Sequence, residues 1–480
     1  MNKALLAKQA VVKSFSIVQS KTNMRPMLGL AMPALAEESL VLMVTWTDWW
    51  LAGHYFQADG DATKTAMSLM GYFMWFVPSM FAAIAIGATA VVARFVGSGD
   101  VATARKTANQ AFLIGVCAAL LITAAVIGFG EHFIHAMQLR GEAGRFAREY
   151  MEIVVFSIPL VMCTQVGAAC LRGAGDTVTG FVAKSVVVVF NILISISLVT
   201  GWGPFPEIGW KGLAIGTAVG HCVGGLIILS ALIVGRAGLQ LRFRWLRVDW
   251  DLIWKIFKIG LPGGFDIATI LLSQMFFLAI INSLGNAQAA AHGLAVQIEA
   301  CCFLSGAAFQ VAAATMAGQF LGAGLPRRAT GSVLLCFKVG ALLMCAFAVL
   351  LFFKGDWFAY FFTGNWDDPT TQLTGELLQI VAVVMPCLAA TMIFSGGFRG
   401  AGDTIWPLLI TAAGFFLIRI PLALYLCLGE ISWLEFEGQS VQGLGWGIQG
   451  AWYAMAVDII FRSLLITGRF IQGGWRKVRI

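Results

Sequence analysis

Acidic side chains inside long apolar segments are the residues of this chain that could do chemistry. Asp48 lies deep in the first apolar segment, and Glu37 stands eleven residues before it. In a helix the two would differ in direction by about 20° and lie about 16 Å apart along the axis, so they share one face. A carboxylate in hydrocarbon costs about 2.5–3.5 kcal/mol, and burial favours its protonated form. Such a carboxyl could take up a proton on one side of a membrane and release it on the other.

Alternatives remain open for these acids. Asp48 could make a static hydrogen bond that holds helices together, or could lie in a loop if the segment ends early. Glu38 points about 80° away from Asp48 on the same helix, and is a candidate for facing a substrate cavity instead. In the last apolar segment, Asp458 and Arg462 are four residues apart and are predicted to pair with each other.

The second half of the chain repeats only part of this pattern. Asp266 stands four residues after Pro262, and Glu37 stands at the same distance after the corresponding proline of the first half. Fifteen residues after Pro262, however, stands Phe277, where the first half has Asp48. We therefore expect an Asp48-type site in the first half alone, and Asp266 is a candidate for lining a substrate cavity.

The six residues Arg-Gly-Ala-Gly-Asp-Thr occur twice, at Arg172–Thr177 and at Arg399–Thr404. The two copies are 227 residues apart (399 − 172), which is close to half of the 480-residue chain. Each copy lies between two long apolar segments. The chain is therefore predicted to consist of two copies of one membrane unit.

These repeated segments are predicted to be structural hairpin turns. Two glycines permit a sharp reversal of the chain, and Asp176 or Asp403 could cap the helix that follows. The arginines Arg172 and Arg399 could extend to the membrane surface. A gating role for these four residues is the alternative.

The elements that must position these residues are membrane helices. Hydrophobic residues make up 59% of the chain and charged residues only 12%, with a mean hydropathy of +0.82, whereas a soluble domain carries about 25% charged residues. The apolar residues run continuously instead of alternating, which disfavours a β-barrel. Segments near the length of a membrane helix, about 20 residues, occur at 27–53, 66–95, 103–130, 148–171, 178–201, 211–235, 252–284, 288–318, 327–354, 375–398, 405–428 and 447–470. We predict an all-α membrane protein with twelve transmembrane helices in two six-helix lobes related by a parallel repeat.

Basic and acidic residues occupy different loops. Lys and Arg exceed Asp and Glu by seven (32 against 25), and the basic residues concentrate in the N-terminal tail, the even-numbered loops and the C-terminus. Most loop acids fall in odd-numbered loops. Since cytoplasmic loops are enriched in Lys and Arg, both termini are predicted to be cytoplasmic, in a multi-pass protein of the plasma (inner) membrane. The basic balance thus indicates a membrane orientation and no nucleic-acid partner.

The same pattern divides the chain into regions. It predicts a cytoplasmic tail at 1–26, a first six-helix lobe at 27–235, a basic cytoplasmic linker at 236–258, a second six-helix lobe at 259–470 and a cytoplasmic tail at 471–480. The N-terminal tail lacks the apolar core and cleavage site of a signal peptide. Six helices per lobe is an even number, so both lobes would have the same orientation.

The sequence contains no pattern of an enzyme or of a metal centre. The ten cysteines fall almost entirely in apolar segments without a Cys-x-x-Cys pair, and the five histidines form no zinc-binding pattern. A phosphate-binding loop of the Gly-x4-Gly-Lys-[Ser/Thr] type is also missing, which disfavours ATP-driven transport. We expect a protein that is not an enzyme and that needs no cofactor or resident metal.

Several motifs, taken in order, resemble those of the multidrug and toxic compound extrusion (MATE) family. They are the Pro33…Asp48-x4-Gly53 pattern, Ala93–Asp100, Ala290–His292 with Ile298 and Glu299, Gly318–Gly324, Arg419–Pro421 and the two Arg-Gly-Ala-Gly-Asp-Thr turns. The resemblance covers nearly the whole chain. It implies two six-helix lobes that enclose a cavity, and an antiporter in which a drug-like or metabolite cation leaves as H+ or Na+ enters.

The resemblance also implies roles for individual residues. Asn191 is similar to an asparagine of the family's first lobe and could hydrogen-bond Asp48, or could simply join two helices. Glu299 could bind a cationic substrate, or could pair with an arginine on the cytoplasmic side. Sodium-coupled relatives have an acid eleven residues before the arginine of the second turn, where this chain has Leu388. This departure favours H+ as the coupling ion.

Two other kinds of function are compatible with such a chain. A related flippase for lipid-linked precursors should have several cationic side chains in its cavity to hold pyrophosphate, whereas the mid-membrane charges here are mostly acidic. A channel or receptor would conduct or signal without exchange. The sequence therefore favours a proton-coupled efflux antiporter, a monomer in the lipid bilayer whose partners are small cationic molecules.

Overall fold

The computed structural model describes residues 17–18, 20, 23–55, 70–71, 73–136, 141–242, 247–436 and 439–478. Twelve helical segments and one two-stranded hairpin are its main elements within these ranges. The helices are α1 (Met24–Tyr55), α2 (Phe73–Met80 and Ala82–Gly97), α3 (Val101–Ala136), α4 (Gly141–Gly173), α5 (Val178–Thr200), α6 (Trp210–Val234), α7 (Trp250–Ser283), α8 (Asn286–Gly322), α9 (Pro326–Thr363), α10 (Pro369–Ala401), α11 (Ile405–Cys427) and α12 (Gly447–Gln472). The strands β1 (Glu430–Phe436) and β2 (Gln439–Gln442) pair antiparallel between α11 and α12.

These helices have the length and composition of a transmembrane bundle. Within the described ranges, nine helices are long and apolar enough to cross a membrane, and the two parts of α2, bent by 41°, make a tenth. The remaining two, α1 and α12, are 32 and 26 residues long, which exceeds the about 20 residues that a span requires. The prediction of an all-α membrane protein with twelve helices is confirmed.

The chain divides into two compact units. The first contains the residues up to Gly264, and therefore α1–α6 and the beginning of α7, together with Gly318–Leu325. The second contains Phe265–Ala317 and the described residues from Pro326 onward, and therefore most of α7 and α8 and all of α9–α12. We refer to these units as the first lobe and the second lobe. The predicted limits of the tails and the linker stay predictions.

Glycines allow α5 and α6 of the first lobe to approach closely. A Cβ atom added to Gly220 of α6 would lie 2.8 Å from the backbone oxygen of Val187, and one added to Gly216 would lie 2.9 Å from the backbone nitrogen of Ser195. In a bilayer, water supplies no hydrophobic force between helices, so close packing through small residues supplies the attraction. The two helices are thereby held together at the level of Asn191, whose backbone oxygen also lies near Gly216.

Two glycine-rich motifs of the sequence meet within the first lobe. A Cβ added to Gly97 would overlap the backbone carbonyl of Gln319, and one added to Gly322 would overlap that of Arg94. The side chain of Gln319 is buried and donates to the backbone oxygen of Gly173 at 3.0 Å. The ends of α2, α4 and α8 therefore pack at backbone distance, which a side chain at either glycine would prevent.

The segment after α6 runs along α3 and is bound to it by two buried amides. Asn109 donates to the backbone oxygen of Gln240 and accepts from the backbone N–H of Arg242, both at 2.9 Å. Gln110 makes the same two kinds of bond with the backbone further along the segment. The part of the chain that we predict to be a linker is thus fixed to the first lobe at its beginning.

In the second lobe, α10 packs closely against α8. A Cβ added to Gly396 would overlap the backbone oxygen of Gln310, and one added to Gly400 would overlap that of Ala314. The neighbouring helix α11 contains a π-helical segment, Gly414–Arg419. Such segments shift the side chains that follow them and occur frequently at functional sites, and this one ends on a buried arginine.

Most differences from the predicted helix boundaries lie at charged helix ends. α4 begins at Gly141 instead of residue 148, and α9 extends to Thr363 instead of residue 354. The extension of α4 is polar, and Glu142 forms an exposed ion pair within it. The extension of α9 follows Lys354, which lies over the ring of Trp357 at 5.6 Å, and contains Asp356 among aromatic residues. A search for apolar segments stops at such charges.

Candidate functional site

Glu37 and Arg172 form an ion pair inside the first lobe. Glu37 Oε1 and Arg172 Nη1 are 3.4 Å apart, and about a fifth of each side chain is exposed (18% and 20%). α1 carries Glu37 one helical turn after Pro33, and Arg172 lies in the last turn of α4. The arginine of the first turn therefore contacts a carboxylate of α1, and its extension to the membrane surface stays a prediction.

A cavity of about 40 Å³, measured as the space open to the centre of a water molecule, lies beside this ion pair. Since about 10–15 Å³ of such space holds one water, the cavity has room for about three. Helices α1, α4, α5 and α6 form its walls, all of them in the first lobe. Its polar lining consists of Glu37, Thr164, Gln165, Arg172, Lys184 and His221.

Lys184 and His221 are two lining residues that the sequence does not single out as candidates. Lys184 lies on α5 and makes no ion pair with a described residue. The Nδ1 atom of His221 is buried and has no hydrogen-bond partner among the described residues. Lys184 could have been found from the sequence, because it is a charge inside a predicted membrane segment. The cost of a charge in hydrocarbon, which singles out the acids, applies to it as well. A single neutral histidine in an apolar helix gives no such signal.

Asn191 takes part in a second polar network of the first lobe. Its Nδ2 atom donates to Thr217 Oγ1 at 3.1 Å, and the hydroxyl of Tyr150 donates to the same oxygen at 3.2 Å. The Oδ1 atom of Asn191 and the hydroxyl of Ser195 are buried without a hydrogen-bond partner in the described chain. Buried acceptors without a partner can receive a proton donor or a cation. The role of Asn191 in coupling stays a prediction, and its unpartnered Oδ1 atom is compatible with that role.

Asp48 lies in α1, but its side chain is outside the described part of the structure. The predicted hydrogen bond between Asp48 and Asn191 therefore stays a prediction. Glu38 is partly buried and lies close enough to Arg172 and Lys184 to be attracted by both. Two adjacent acids of α1 are thus balanced by two bases from α4 and α5.

The second lobe contains a corresponding but tighter ion pair. Asp266 Oδ2 and Arg399 Nη2 are 2.6 Å apart, and only 2% of the Asp266 side chain is exposed. Asp266 corresponds to Glu37 in the repeat, and Arg399 corresponds to Arg172. Arg399 also contacts a carboxylate of its own lobe, and its extension to the membrane surface stays a prediction. In each lobe, the arginine of the turn therefore pairs with a carboxylate that stands four residues after a proline. The role of Asp266 in lining a substrate cavity stays a prediction.

The aspartates of the two turns make structural contacts. Asp176 accepts from the backbone N–H and the hydroxyl of Thr179 at 3.0 and 2.8 Å, which caps α5, and pairs with Arg236 at 2.9 Å. Asp403 pairs with Arg469 at 2.8 Å. In each lobe, an ion pair thus ties the turn to the chain at the end of α6 or α12. This geometry agrees with the interpretation of the turns as structural hairpins.

Three buried charges form a group in the second lobe. Asp458 accepts two bonds of 2.8 Å from Arg462 and one of 2.9 Å from Arg419, and none of the three side chains is more than 8% exposed. The predicted pairing of Asp458 with Arg462 is confirmed. The guanidinium of Arg419 also lies over the ring of Phe415 at 4.4 Å. The sequence gives Arg419 only as part of a motif, because it does not show which helix packs against α11.

Glu299 lies on α8 of the second lobe, close enough to Arg419 for their charges to attract. The pairing of Glu299 with an arginine on the cytoplasmic side and its role in binding a substrate both stay predictions. At the position that corresponds to Asp48, Phe277 is fully buried and packs edge-on against His292 at 5.9 Å. The second lobe thus has an aromatic contact where the first lobe has an acid.

Comparison with known families supports the repeat. A family model described as MatE matches residues 33–196 and 262–425. The two matches have equal lengths and are offset by 229 residues (262 − 33), so they place Asp48 and Phe277 at the same position of the repeat. The predicted parallel repeat of two six-helix lobes is confirmed.

Relatives match this chain over most of their length, and solved structures share its fold. The chain is 25% identical over 454 residues to a Thermotoga maritima protein named "Probable multidrug resistance protein NorM", with 94% of this chain and 93% of the relative covered. It is 23% identical to a Shewanella oneidensis protein named "FAD transporter", with 83% and 87% covered. A solved structure of a MOP superfamily transporter from Pyrococcus furiosus, described as having a binding pocket of reverse polarity, has a TM-score of 0.83 at 17% identity, with 95% and 96% covered.

Proposed function

The chain belongs to the multidrug and toxic compound extrusion (MATE) family of membrane transporters, and from this premise we propose that it is a proton-coupled efflux antiporter. In this proposal, it exports drug-like or metabolite organic cations by alternating access between its two lobes. Protons move in the opposite direction and supply the driving force. The residues assigned to coupling are Asp48, Glu37 and Asn191.

The difference between the two repeat-related ion pairs carries the proposal. Glu37 lies 3.4 Å from Arg172 beside a polar cavity. Asp266 is almost fully buried and lies 2.6 Å from Arg399. A short, charge-assisted hydrogen bond fixes a carboxylate to its arginine. A carboxylate that borders a cavity with room for water has a partner with which it can exchange a proton. The first lobe, which also contains Asp48, is therefore the better candidate for coupling.

H+ is the proposed coupling ion. A proton needs one carboxyl group and a hydrogen-bond network, whereas a dehydrated cation needs several oxygen ligands. Where sodium-coupled relatives have an acid, this chain has the buried and apolar Leu388. A Na+ site would depend on Asp48, on the free Oδ1 of Asn191 and on the hydroxyl of Ser195, so a transport assay must compare both ions.

Organic cations are the proposed cargo. The Thermotoga maritima relative is named a probable multidrug resistance protein, and acids within membrane helices suit positively charged compounds. A flippase for lipid-linked precursors, the alternative, would need arginines or lysines that are free to hold pyrophosphate. Arg419 and Arg462 are both bound to Asp458, which makes them poor candidates for that task. Lys184 makes no ion pair with a described residue, but its cavity has room for only about three waters and is shared with the acid Glu37.

The proposed orientation has both termini in the cytoplasm, in a monomer of the plasma (inner) membrane. Its support is the excess of basic residues in the even-numbered loops. The turns that contain Arg172 and Arg399 would then be cytoplasmic. Glu37 would lie between the cytoplasm and Asp48, so a proton that enters at Asp48 from outside would leave towards the turn of the first lobe.

Transport by the purified protein in proteoliposomes tests this proposal. Vesicles loaded with ethidium or tetraphenylphosphonium receive an inward pH gradient, an inward Na+ gradient or neither, with the membrane potential clamped. FAD serves as an anionic cargo in parallel vesicles. We expect export of both cations with the pH gradient in the absence of Na+, and no export of FAD.

Asp48→Asn is the matched control for this assay, because the amide is nearly isosteric but cannot carry the proton. Its folding should be unchanged and its pH-driven export lost. Export that a Na+ gradient drives and a pH gradient does not would refute H+ coupling. Export of FAD alone would refute the cationic cargo, and downhill flux without exchange would indicate a channel.

A further inference from the structure

His221 lies between the two polar networks of the first lobe. It stands on α6 four residues after Thr217, so the two side chains share one face of the helix, about 6 Å apart along its axis. Thr217 binds Asn191, and His221 lines the cavity that also contains Glu37. The histidine therefore links the network of Asn191 to the carboxylate of Glu37.

The cavity between His221 and Glu37 is suited to hold water. It has room for about three molecules, and a buried water needs two to four polar partners. Thr164, Gln165 and Lys184 add hydrogen-bonding groups to its walls. The Nδ1 atom of His221 lacks a partner in the described chain, and a cavity water or a proton would satisfy it.

The charges around His221 favour passage of a proton over its storage. The charged groups that line the cavity with His221 are Glu37 of α1, Arg172 of α4 and Lys184 of α5, and Glu38 of α1 lies close to Arg172 and Lys184. The two acids and the two bases balance when all four are ionised and the imidazole is neutral. Lys184 lies close enough to His221 to repel a second positive charge, while the carboxylate of Glu37 attracts it. A proton on His221 would therefore be driven towards Glu37.

We propose that this cavity is a water-filled proton site and that His221 relays the coupling proton through it. The inference rests on the proposed H+ exchange and adds a route to it. In each cycle, Nδ1 of His221 forms an N–H bond while an O–H bond of a donor water or carboxyl breaks. The proton then returns to oxygen, on a cavity water and on Glu37, and the imidazole is neutral again. Neither step changes an oxidation state.

Removal of the imidazole tests the relay. His221→Gln keeps a polar side chain but cannot exchange a proton at neutral pH. In proteoliposomes with an entrapped pH indicator, we expect H+ influx coupled to tetraphenylphosphonium export to fall about 10²-fold, as for other positioned acid–base groups. The Kd for tetraphenylphosphonium, and the exchange of labelled for unlabelled tetraphenylphosphonium, should match the wild type. A residue with only a structural role would change these values as well.

Two further variants complete the test. His132→Gln is the matched control, because His132 is exposed on α3 and lies outside the cavity, and its H+ influx should be unchanged. Lys184→Met removes the positive neighbour, so His221 should hold its proton more firmly. The cytoplasmic-side pH at which H+ influx is half-maximal should then rise by about one unit.

The possible outcomes separate the relay from the proposed exchange. Wild-type H+ influx with an unchanged pH profile in His221→Gln would overturn the relay and leave the exchange intact. Export of tetraphenylphosphonium by the wild type without H+ influx would overturn the exchange, and the relay with it. If His221→Gln does not fold, Lys184→Met decides, and an unshifted pH profile in that variant overturns the relay.

Discussion

Neutralisation of the two repeat-related carboxylates should have very different costs for folding. Asp266→Asn removes the charge of a side chain that is 2% exposed, and leaves Arg399 without its partner at 2.6 Å. Breaking a buried ion pair costs about 3–5 kcal/mol of the free energy of unfolding. Glu37→Gln breaks a looser pair at 3.4 Å, and cavity water can solvate the remaining Arg172. Its cost should be about 1 kcal/mol or less, the value for solvated pairs.

Thermal unfolding in detergent measures this difference. For a unit of about 150–250 residues, 1 kcal/mol shifts Tm by about 2–4 °C, so Asp266→Asn should lower Tm by about 6–20 °C and Glu37→Gln by at most about 4 °C. The fluorescence of the 16 tryptophans reports the transition. The double variant Asp266→Asn, Arg399→Gln removes both charges and should recover part of the loss.

Two results would refute this reasoning. Equal losses of Tm in the two single variants would show that burial and pair length do not determine the cost. A double variant that is as unstable as Asp266→Asn would show that the unpaired Arg399 is not the source of the loss.

Packing, capping and topology can be tested by the same kind of comparison. Gly400→Ala should lower Tm, because its Cβ would overlap a backbone oxygen of α8, whereas Gly468→Ala meets no atom within 4 Å and should be neutral or stabilising by up to about 1 kcal/mol. Hydrogen bonds from a threonine hydroxyl and a backbone N–H at the start of α3 hold the pKa of Asp100 below its ordinary 3.8. The contribution of Asp100 to stability is therefore present at neutral pH and lost as the pH falls below that value, so the Tm difference between Asp100→Ala and the wild type should vanish in strong acid. Single cysteines at residues 61 and 326, in a background without native cysteines, should be labelled from outside and from inside respectively, and the reverse result would refute the orientation.

Contacts within one helix are predictable from this sequence, and contacts between helices are not. The spacing of Asp458 and Arg462 fixes their contact, because residues four apart are neighbours on a helix. Glu37 and Arg172 are 135 residues apart, and only the packing of α1 against the end of α4 brings them together. Arg419 joins Asp458 for the same reason, and no local pattern indicates it.

The twelve helices follow from composition, since a continuous apolar stretch is a local property of the chain. The cavity of the first lobe does not, because it is the space that four helices leave between them. Its lining residues Gln165 and His221 are each compatible with ordinary helix packing when they are considered alone, whereas Lys184 is a charge inside a predicted membrane segment. Their combination beside Glu37 becomes visible only after the helices are assembled.

The number of protons that enter for each cation exported tests the central claim most directly. Tetraphenylphosphonium efflux and internal pH are recorded together, in the same proteoliposomes, with the potential clamped and Na+ absent. For the wild type, H+ influx should begin with efflux and keep a constant ratio to it across different pH gradients. Asp48→Asn should show neither flux. Efflux without H+ influx in the wild type, or a wild-type ratio in Asp48→Asn, would contradict the account.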